Sequence, residues 1–262
     1  MSDGEPIPGG TVDWDAASYH SLADPQEEWA REVLARLELR GDETVLDAGC
    51  GSGRVTRLLV ERLPQGKVVA VDASPSMVDM VRNVLRPSDQ AVLANLTELE
   101  LDEPVDAVFS NATFHWVLDH DRLFQRLHAA LRPGGRLEAQ CGGEGNVAEF
   151  ERAIDALGGD ERFAPYLRGT LQPWNFAGVG ETEARLERAG FGATRLWLER
   201  KRFQPPDPRG YLRASGLASH LERLPAVLHE PFVDAVTGSL PRTLVLDYVR
   251  LNISAQRPFT AR

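Results

Sequence analysis

The sequence "VLDAGCGSGRV" at positions 45–55 joins a short apolar run to a turn that contains a carboxylate and three glycines. The apolar residues predict a buried β-strand. Gly49, Gly51 and Gly53 predict a tight turn that leads from this strand into a helix. A glycine turn between a strand and a helix is typical of nucleotide-binding enzymes, because it lets a ligand approach the backbone.

The spacing of these glycines narrows the class of ligand. A dinucleotide fingerprint needs the pattern G-x-G-x-x-G, and the position that it assigns to the third glycine holds Arg54. A triphosphate-binding loop needs Gly-Lys followed by Ser or Thr, which the stretch lacks. The pattern therefore argues against NAD and against a nucleoside triphosphate.

Two carboxylates add further information about the ligand. Asp47 stands at the end of the first strand, where a carboxylate suits a positively charged ammonium group better than a pyrophosphate. Asp72 ends the second predicted strand and can accept hydrogen bonds from both hydroxyls of a ribose. NAD enzymes share the second feature, so the indication of a cationic ligand depends on Asp47.

Apolar runs alternate with helical patterns along most of the chain, which predicts an α/β fold with a seven-stranded, mostly parallel sheet and helices on both faces. The segment "RPGG" (132–135) predicts a tight turn before the fifth strand. The predicted strands are 44–48, 67–72, 91–94, 105–110, 136–141, 193–203 and 243–254. The predicted helices of this core are 25–39, 54–63, 75–86, 120–131 and 181–191.

Two segments interrupt the alternation and predict a helical cap. Residues 142–180 and 205–242 contain short helical patterns and follow the fifth and sixth strands. Open α/β sheets bind ligands at the carboxyl ends of their strands, so both segments are expected to cover that edge. The predicted ligand-binding domain then comprises 25–141, 181–204 and 243–262, preceded by a lid segment at 1–24.

The amino-acid composition of the chain limits the classes of molecule that it can bind. The chain has 262 residues and a net charge of -10, so a nucleic-acid backbone would meet net repulsion. We expect no nucleic-acid partner, and a small or protein-borne substrate.

Cys50 and Cys141 are too few for a disulfide framework, and neither a signal-like start nor a long apolar run is present. We expect a cytoplasmic monomer or homodimer without a membrane segment and, because the histidines are scattered, without a metal site.

Four motifs together resemble class I S-adenosylmethionine-dependent methyltransferases. They are "VLDAGCGSG" (45–53), "VVAVDASPSM" (68–77), "FSNATFHWV" (109–117) and "LRPGGRL" (131–137). The longer stretch "FSNATFHWVLDHDRLF" (109–124) is similar to trans-aconitate methyltransferases and to the related malonyl-carrier-protein O-methyltransferases. The resemblance implies a Rossmann-like fold, S-adenosylmethionine as cofactor, S-adenosylhomocysteine as product and a small-molecule methyl acceptor.

The resemblance also implies a set of cofactor-binding residues. Asp47 and the backbone of 49–53 would hold the methionine moiety, Asp72 the ribose, and Tyr19 would close the pocket. The adenine ring would lie between two apolar side chains, and Asn95 would accept a hydrogen bond from the adenine amino group. The full set is Tyr19, Asp47, Gly49, Cys50, Gly51, Gly53, Asp72, Ala73, Met77, Asn95, Leu96, Ser110 and Asn111.

His115 is the candidate catalytic residue, and Trp14, His115 and Trp116 are the candidate acceptor-binding residues. A histidine can act as a general base near neutral pH, but a lone histidine in a loop is as commonly a hydrogen-bonded structural residue. The nucleophile decides between these roles. A carboxylate is already ionised at pH 7 and needs no base, whereas a phenol, an amine or a carbon nucleophile needs one.

The sequence thus predicts methyl transfer to a small molecule, most simply to an oxygen atom, with a carboxylate oxygen as one candidate. Two alternatives stay open: C- or N-methylation with His115 as the base, and a non-catalytic module that only binds the cofactor. In one segment the chain departs from the trans-aconitate enzymes. Where they carry an arginine-containing motif, this chain has "YLRASGLASHLERLP" (211–225), with Arg213 and Arg223 around an apolar segment, which puts a tricarboxylate substrate in question.

Overall fold

Within residues 25–167 and 174–259, which the computed structural model describes, seven strands form one sheet in the order β3-β2-β1-β4-β5-β7-β6. Strands β1 to β5 pair in parallel, and β7 runs antiparallel to both of its neighbours, β5 and β6. The prediction of a seven-stranded, mostly parallel sheet is confirmed. The strands are β1 Thr44–Ala48, β2 Lys67–Asp72, β3 Gln90–Leu93, β4 Val105–Asn111, β5 Leu131–Gly142, β6 Gly192–Phe203 and β7 Leu246–Gln256.

Helices cover both faces of this sheet. Neighbouring residues of a strand point to opposite faces, so both faces of the apolar strands need a covering layer. Val45 of β1 packs with α1 and α2 on one face, and Leu46 packs with α4 and α7 on the other. The helices of the described residues are α1 Gln26–Arg36, α2 Thr56–Arg62, α3 Pro75–Val81, α4 His120–Ala130, α5 Ala148–Leu157, α6 Ala164–Leu167, α7 Val179–Ala189, α8 Pro208–Tyr211, α9 Ala218–Leu221 and α10 Ala226–Ser239.

Two predicted boundaries are wrong for identifiable reasons. The predicted helix 75–86 ends at Val81, because the hydrogen bonds change to tighter turns there, from the N–H of Asn83 to the carbonyl of Met80 and from that of Val84 to that of Val81. The "RPGG" segment is a bulge inside β5 rather than a turn before it. Leu131 already pairs with Val105, and the amide N–H of Gly134 donates to the carbonyl of Arg257 at 2.8 Å.

The two segments predicted to form the cap share a hydrophobic core of their own. Side chains from 147–167 pack against side chains from 211–246, as the contact between Phe163 and Phe232 at 5.1 Å illustrates. A turn of 3-10 helix at Phe114–Trp116 and a π-helical turn at Leu212–Gly216 complete the elements that face the carboxyl ends of the strands. Among the described helices, none combines the length and the apolar character that crossing a bilayer requires.

Candidate active site

A cleft of about 1040 Å³ lies between the carboxyl ends of the parallel strands and the segments 146–150, 174–176 and 211–223. It brings together most of the residues that the sequence singled out. Those that line it are Asp47, Gly49, Cys50, Gly51, Asp72, Ala73, Met77, Asn95, Leu96, Asn111, His115 and Trp116. Gly53 and Ser110 lie behind this surface, and Trp14 and Tyr19 fall outside the described residues.

The glycine turn has the geometry that its composition predicts. All three glycines have positive φ angles, of 85° at Gly49, 52° at Gly51 and 87° at Gly53. A Cβ on Gly49 would lie 2.2 Å from the side chain of Thr113, whereas a Cβ on Gly51 would meet no atom within 4 Å. Gly49 is therefore required by packing inside the protein, and Gly51 leaves backbone accessible from the cleft.

Asp47 is a buried carboxylate at the edge of the cleft. It is only 2% exposed, and it accepts a hydrogen bond from Oγ1 of Thr56 at 2.7 Å. Burial raises the pKa of Asp47 to about 7, the Thr56 hydroxyl opposes this, and the charge of Asp72 adds to it. A ligand ammonium group beside this carboxylate would favour its ionised form, so the site fits a cationic amino acid moiety.

Asp72 is held in place by backbone amides of both neighbouring turns. Oδ2 accepts from the N–H of Gly51 at 2.9 Å, and Oδ1 accepts from the N–H of Ser74 at 3.0 Å. Burial raises the pKa of Asp72, and hydrogen bonds from the backbone of Ser74, Gly51 and Ala73 oppose that rise. Each carboxylate oxygen has two lone pairs, so both can also accept from a ribose hydroxyl.

Met77 and Asn95, which the sequence assigns to the adenine ring, have defined hydrogen-bond partners in the structure. Met77 lies in α3, buried at the cleft wall, and its N–H donates to Oγ of Ser74, which caps the helix. Oδ1 of Asn95 accepts from both the N–H and the hydroxyl of Thr97, at 3.0 and 2.9 Å. These bonds use both lone pairs of the amide oxygen, so the predicted acceptor role of Asn95 conflicts with this geometry.

The end of β4 is tied to the glycine turn by side-chain hydrogen bonds. Ser110 is buried and donates through Oγ to the carbonyl of Ala48 at 2.7 Å, which explains why it does not line the cleft. Asn111 follows it and does line the cleft. Ala112 adopts a φ of 58°, and its N–H donates to the carbonyl of Gln140 at 2.7 Å. These contacts fix the loop that carries His115.

His115 lies on the 3-10 turn, and its imidazole is almost completely buried, at 9% exposure. Its Nδ1 accepts a hydrogen bond from the N–H of Gly142 at 3.3 Å, which places the proton of the neutral ring on Nε2. Burial, followed by the charges of Arg250 and His120, lowers the pKa of His115 well below its usual value. This geometry favours a hydrogen-bond donor over a general base.

Aromatic side chains that the sequence did not single out form one wall of the cleft. Trp174 stacks on Phe176 at 5.5 Å and meets Trp116 edge-on at 5.9 Å. The N–H of Asn175 donates to the carbonyl of His115 at 2.8 Å, which connects this wall to the turn after β4. Trp174 and Phe176 lie in an irregular segment, where no periodic pattern marks a buried face.

Arginine and tyrosine side chains of the late strand and cap also reach the cleft. The hydroxyls of Tyr211 and Tyr248 lie 2.8 Å apart, and Arg250 is only 2% exposed. Their signal in the sequence is weak, although a charged residue inside the apolar run 243–254 is unusual for a buried strand. Of the two late-cap arginines, Arg223 lines the cleft and Arg213 pairs with Glu230 at 3.0 Å.

Comparisons with known proteins agree with this geometry. The profile of a family described as a methyltransferase domain matches residues 45–135. Trans-aconitate 2-methyltransferase from Methylobacterium nodulans is 31% identical over 259 residues, which cover 94% of this chain and 99% of that protein. The protein of the same name from Azoarcus sp. is 43% identical over 127 residues, which cover 48% of this chain and only 50% of that protein.

Two solved structures share the fold. Mycolic acid cyclopropane synthase CmaA1, solved with S-adenosylhomocysteine, superposes with a TM-score of 0.62 at 19% identity over 97% of this chain and 100% of its own. The YcgJ protein from Bacillus subtilis superposes with a TM-score of 0.61 at 14% identity over 89% of this chain and 99% of its own. At these identities the likeness concerns the fold alone.

Proposed function

Because this chain belongs to the class I S-adenosylmethionine-dependent methyltransferases of the trans-aconitate methyltransferase group, we propose that it methylates a carboxylate oxygen of a small organic acid. S-adenosylmethionine supplies a methyl group that its sulfonium has already activated. The chain's own residues then bind the two reactants, align them and exclude water.

The cofactor-binding half of the cleft is assigned from its charges and its backbone. Asp47 pairs with the ammonium group of the methionine moiety, and the backbone around Gly51 contacts its main-chain atoms. Asp72 accepts from the ribose hydroxyls, and Met77 packs against the adenine ring. Asn111, which lines the cleft at the end of β4, would lie beside the methyl group. Two raised carboxylate pKa values in one cleft support this assignment, because the ammonium group would stabilise the ionised form of Asp47 and the ribose hydroxyls would donate hydrogen bonds to that of Asp72.

The environment of His115 is the observation that favours a carboxylate acceptor. Since Nδ1 accepts from the N–H of Gly142 and Nε2 carries the proton, the imidazole has no lone pair directed at an acceptor. A carboxylate, with an ordinary pKa near 4, needs no proton removed at neutral pH. His115 then acts as a positioning donor through Nε2, and methyl transfer to carbon or nitrogen with His115 as base is not favoured.

The acceptor half of the cleft is assigned to the cap. Residues 142–180 and 205–242 contribute the aromatic wall around Trp174 and the hydroxyl of Tyr211. The two segments share one hydrophobic core, which also includes Leu246 at the start of β7, and together they would cover the acceptor and exclude water.

A panel of acceptors tests the function. The formation of S-adenosylhomocysteine is measured with trans-aconitate and with other small organic acids. Each acid is compared with three matched compounds: its amide, and a phenol and an amine of similar size. We expect turnover of one or more acids and none of the matched compounds. Turnover confined to phenols or amines would refute carboxylate methylation. A protein that binds S-adenosylhomocysteine and methylates no compound would instead be the cofactor-binding module.

A further inference from the structure

We propose that the acceptor half of the cleft binds a monocarboxylic acid whose carboxylate is joined to a flat, apolar body, such as an aryl or arylalkenyl group. The side chains that bind this body are Trp116, Trp174 and Phe176. This inference rests on the proposed function, because it names the class of acid that the same cleft accepts.

The aromatic wall offers apolar surface to a ligand. Trp116, Trp174 and Phe176 all line the cleft and are only partly buried, so part of each ring is accessible from the cleft. The planes of Trp174 and Phe176 differ by only 14°. Leu118 also lines the cleft and is 69% exposed. Aromatic rings bind flat π-systems best, through offset-stacked or edge-to-face contacts, so this surface favours a flat, apolar ligand.

The wall begins at the residue assigned to position the carboxylate. The imidazole of His115 lies 5.8 Å from the ring of Phe176 and 5.3 Å from that of Trp116, measured between centres. Asn175 fixes this arrangement, since its backbone N–H donates to the carbonyl of His115 at 2.8 Å and its side-chain amide donates to that of Leu118 at 3.0 Å. A carboxylate that accepts from Nε2 of His115 therefore has aromatic surface within reach of the group attached to it.

Charged side chains leave the acceptor half of the cleft without net charge. Of the described residues that line it, Asp119 and Glu222 are acidic, and Arg223 and Arg250 are basic. One carboxylate of the acceptor balances the positive charge of the cofactor's sulfonium, whereas two further carboxylates would have no such counterpart. A monocarboxylic acid therefore enters this site at a lower electrostatic and desolvation cost than a tricarboxylic acid.

The late-cap segment 211–225, in which the chain departs from the trans-aconitate enzymes, fits the same class of acid. Ser215, Gly216 and Ser219 line the cleft and give it small side chains at this place. A Cβ on Gly216 would lie 2.8 Å from the ring of Phe150, so the glycine lets another aromatic ring of the cleft pack closely. The segment thus contributes room and aromatic packing to the acceptor half.

Binding of acids to the complex with S-adenosylhomocysteine tests the inference by calorimetry. The probes are trans-cinnamate, its amide, hexanoate and trans-aconitate. The wild type should bind trans-cinnamate at least roughly tenfold more tightly than trans-aconitate, and about 2- to 10-fold more tightly than hexanoate, which is apolar but not flat. The amide should bind more weakly than the acid, because a hydrogen bond from His115 to a charged group is lost. This ranking does not depend on how any variant folds.

Variants of Trp174 test whether the wall binds the flat body. Trp174→Leu should weaken trans-cinnamate binding about 3- to 10-fold, and Trp174→Phe should restore most of the loss. Both variants should bind S-adenosylhomocysteine as the wild type does, and turnover of trans-cinnamate should show a raised KM with little change in kcat. Trp197→Leu is the matched control, because Trp197 lies on β6 outside the cleft, where the guanidinium groups of Arg36 and Arg195 lie over its ring.

The inference is overturned if trans-aconitate or hexanoate binds to the wild type as tightly as trans-cinnamate does, and methylation of trans-aconitate would then leave the proposed function intact. It is also overturned if Trp174→Leu binds S-adenosylhomocysteine and trans-cinnamate with wild-type affinities. Binding of trans-cinnamate that depends on Trp174, without methyl transfer to any acid, would support the inference and overturn the proposed function alone.

Discussion

Replacing Asp47 with asparagine should have opposite effects on stability and on cofactor binding. The carboxylate is buried, and its pKa rises from the usual 3.8 to about 7 in the protein without ligand. Because the folded-state pKa is the higher one, the folded state binds the extra proton. The contribution of Asp47 to the stability of the ligand-free protein should therefore be most favourable below pH 3.8, fall between pH 3.8 and 7, and stay lower above pH 7.

The size of both effects follows from the same pKa. At pH 8 the ionised carboxylate destabilises the fold by roughly 4 kcal/mol, since one pKa unit corresponds to about 1.4 kcal/mol. Asp47→Asn removes this charge and can still accept the hydrogen bond from Thr56, so it should stabilise the ligand-free protein by a part of that amount. The same variant should bind S-adenosylhomocysteine about 10- to 100-fold more weakly, because a charge-assisted hydrogen bond to the ammonium group is lost.

Urea denaturation at pH 8 and calorimetric titration between pH 5 and 8 measure the two effects. In the wild type the affinity for S-adenosylhomocysteine should fall about tenfold for each pH unit below 7, because binding requires the ionised form. Asp47→Asn should remove most of this pH dependence. A pH-independent wild-type affinity, or a ligand-free variant that is less stable at pH 8, would refute the reasoning.

Three other perturbations test the remaining assignments. Asp72→Ala should weaken S-adenosylhomocysteine binding by about 1–3 kcal/mol through loss of the ribose hydrogen bonds, and an unchanged affinity in calorimetry would contradict that assignment. His115→Gln keeps an N–H donor without a base, so steady-state turnover should stay within roughly tenfold of the wild type, whereas loss of a base would lower it about 10²–10⁴-fold. Hydrogen exchange should show protection of 142–167 and 205–242 when S-adenosylhomocysteine and an acid are bound together, and protection confined to 25–141 would argue against a closing cap.

Local patterns in the sequence were sufficient for the strands, for the glycine turn and for the placement of two carboxylates at the cleft. Apolar runs such as 67–72 mark strands that are buried on both faces, so they are recognisable without knowledge of their neighbours. The turn at 49–53 depends on the backbone freedom of its own glycines. Asp47 and Asp72 are placed at strand ends by the chain itself, and β1 and β2 are adjacent in the sheet, so both carboxylates reach one edge.

Contacts between distant parts of the chain decided the rest. Nδ1 of His115 accepts from the N–H of Gly142, 27 residues further along the chain, and this bond cannot be deduced from residue types, because it depends on side-chain orientation after folding. Arg250 faces the same cleft as His115 only because β7 inserts between β5 and β6 and runs antiparallel to both. The sequence thus determines which segments form strands and turns, through forces that act over a few residues. The pairing order of the strands and the docking of the cap determine which side chains meet, because burial and hydrogen bonding between distant segments depend on the whole fold.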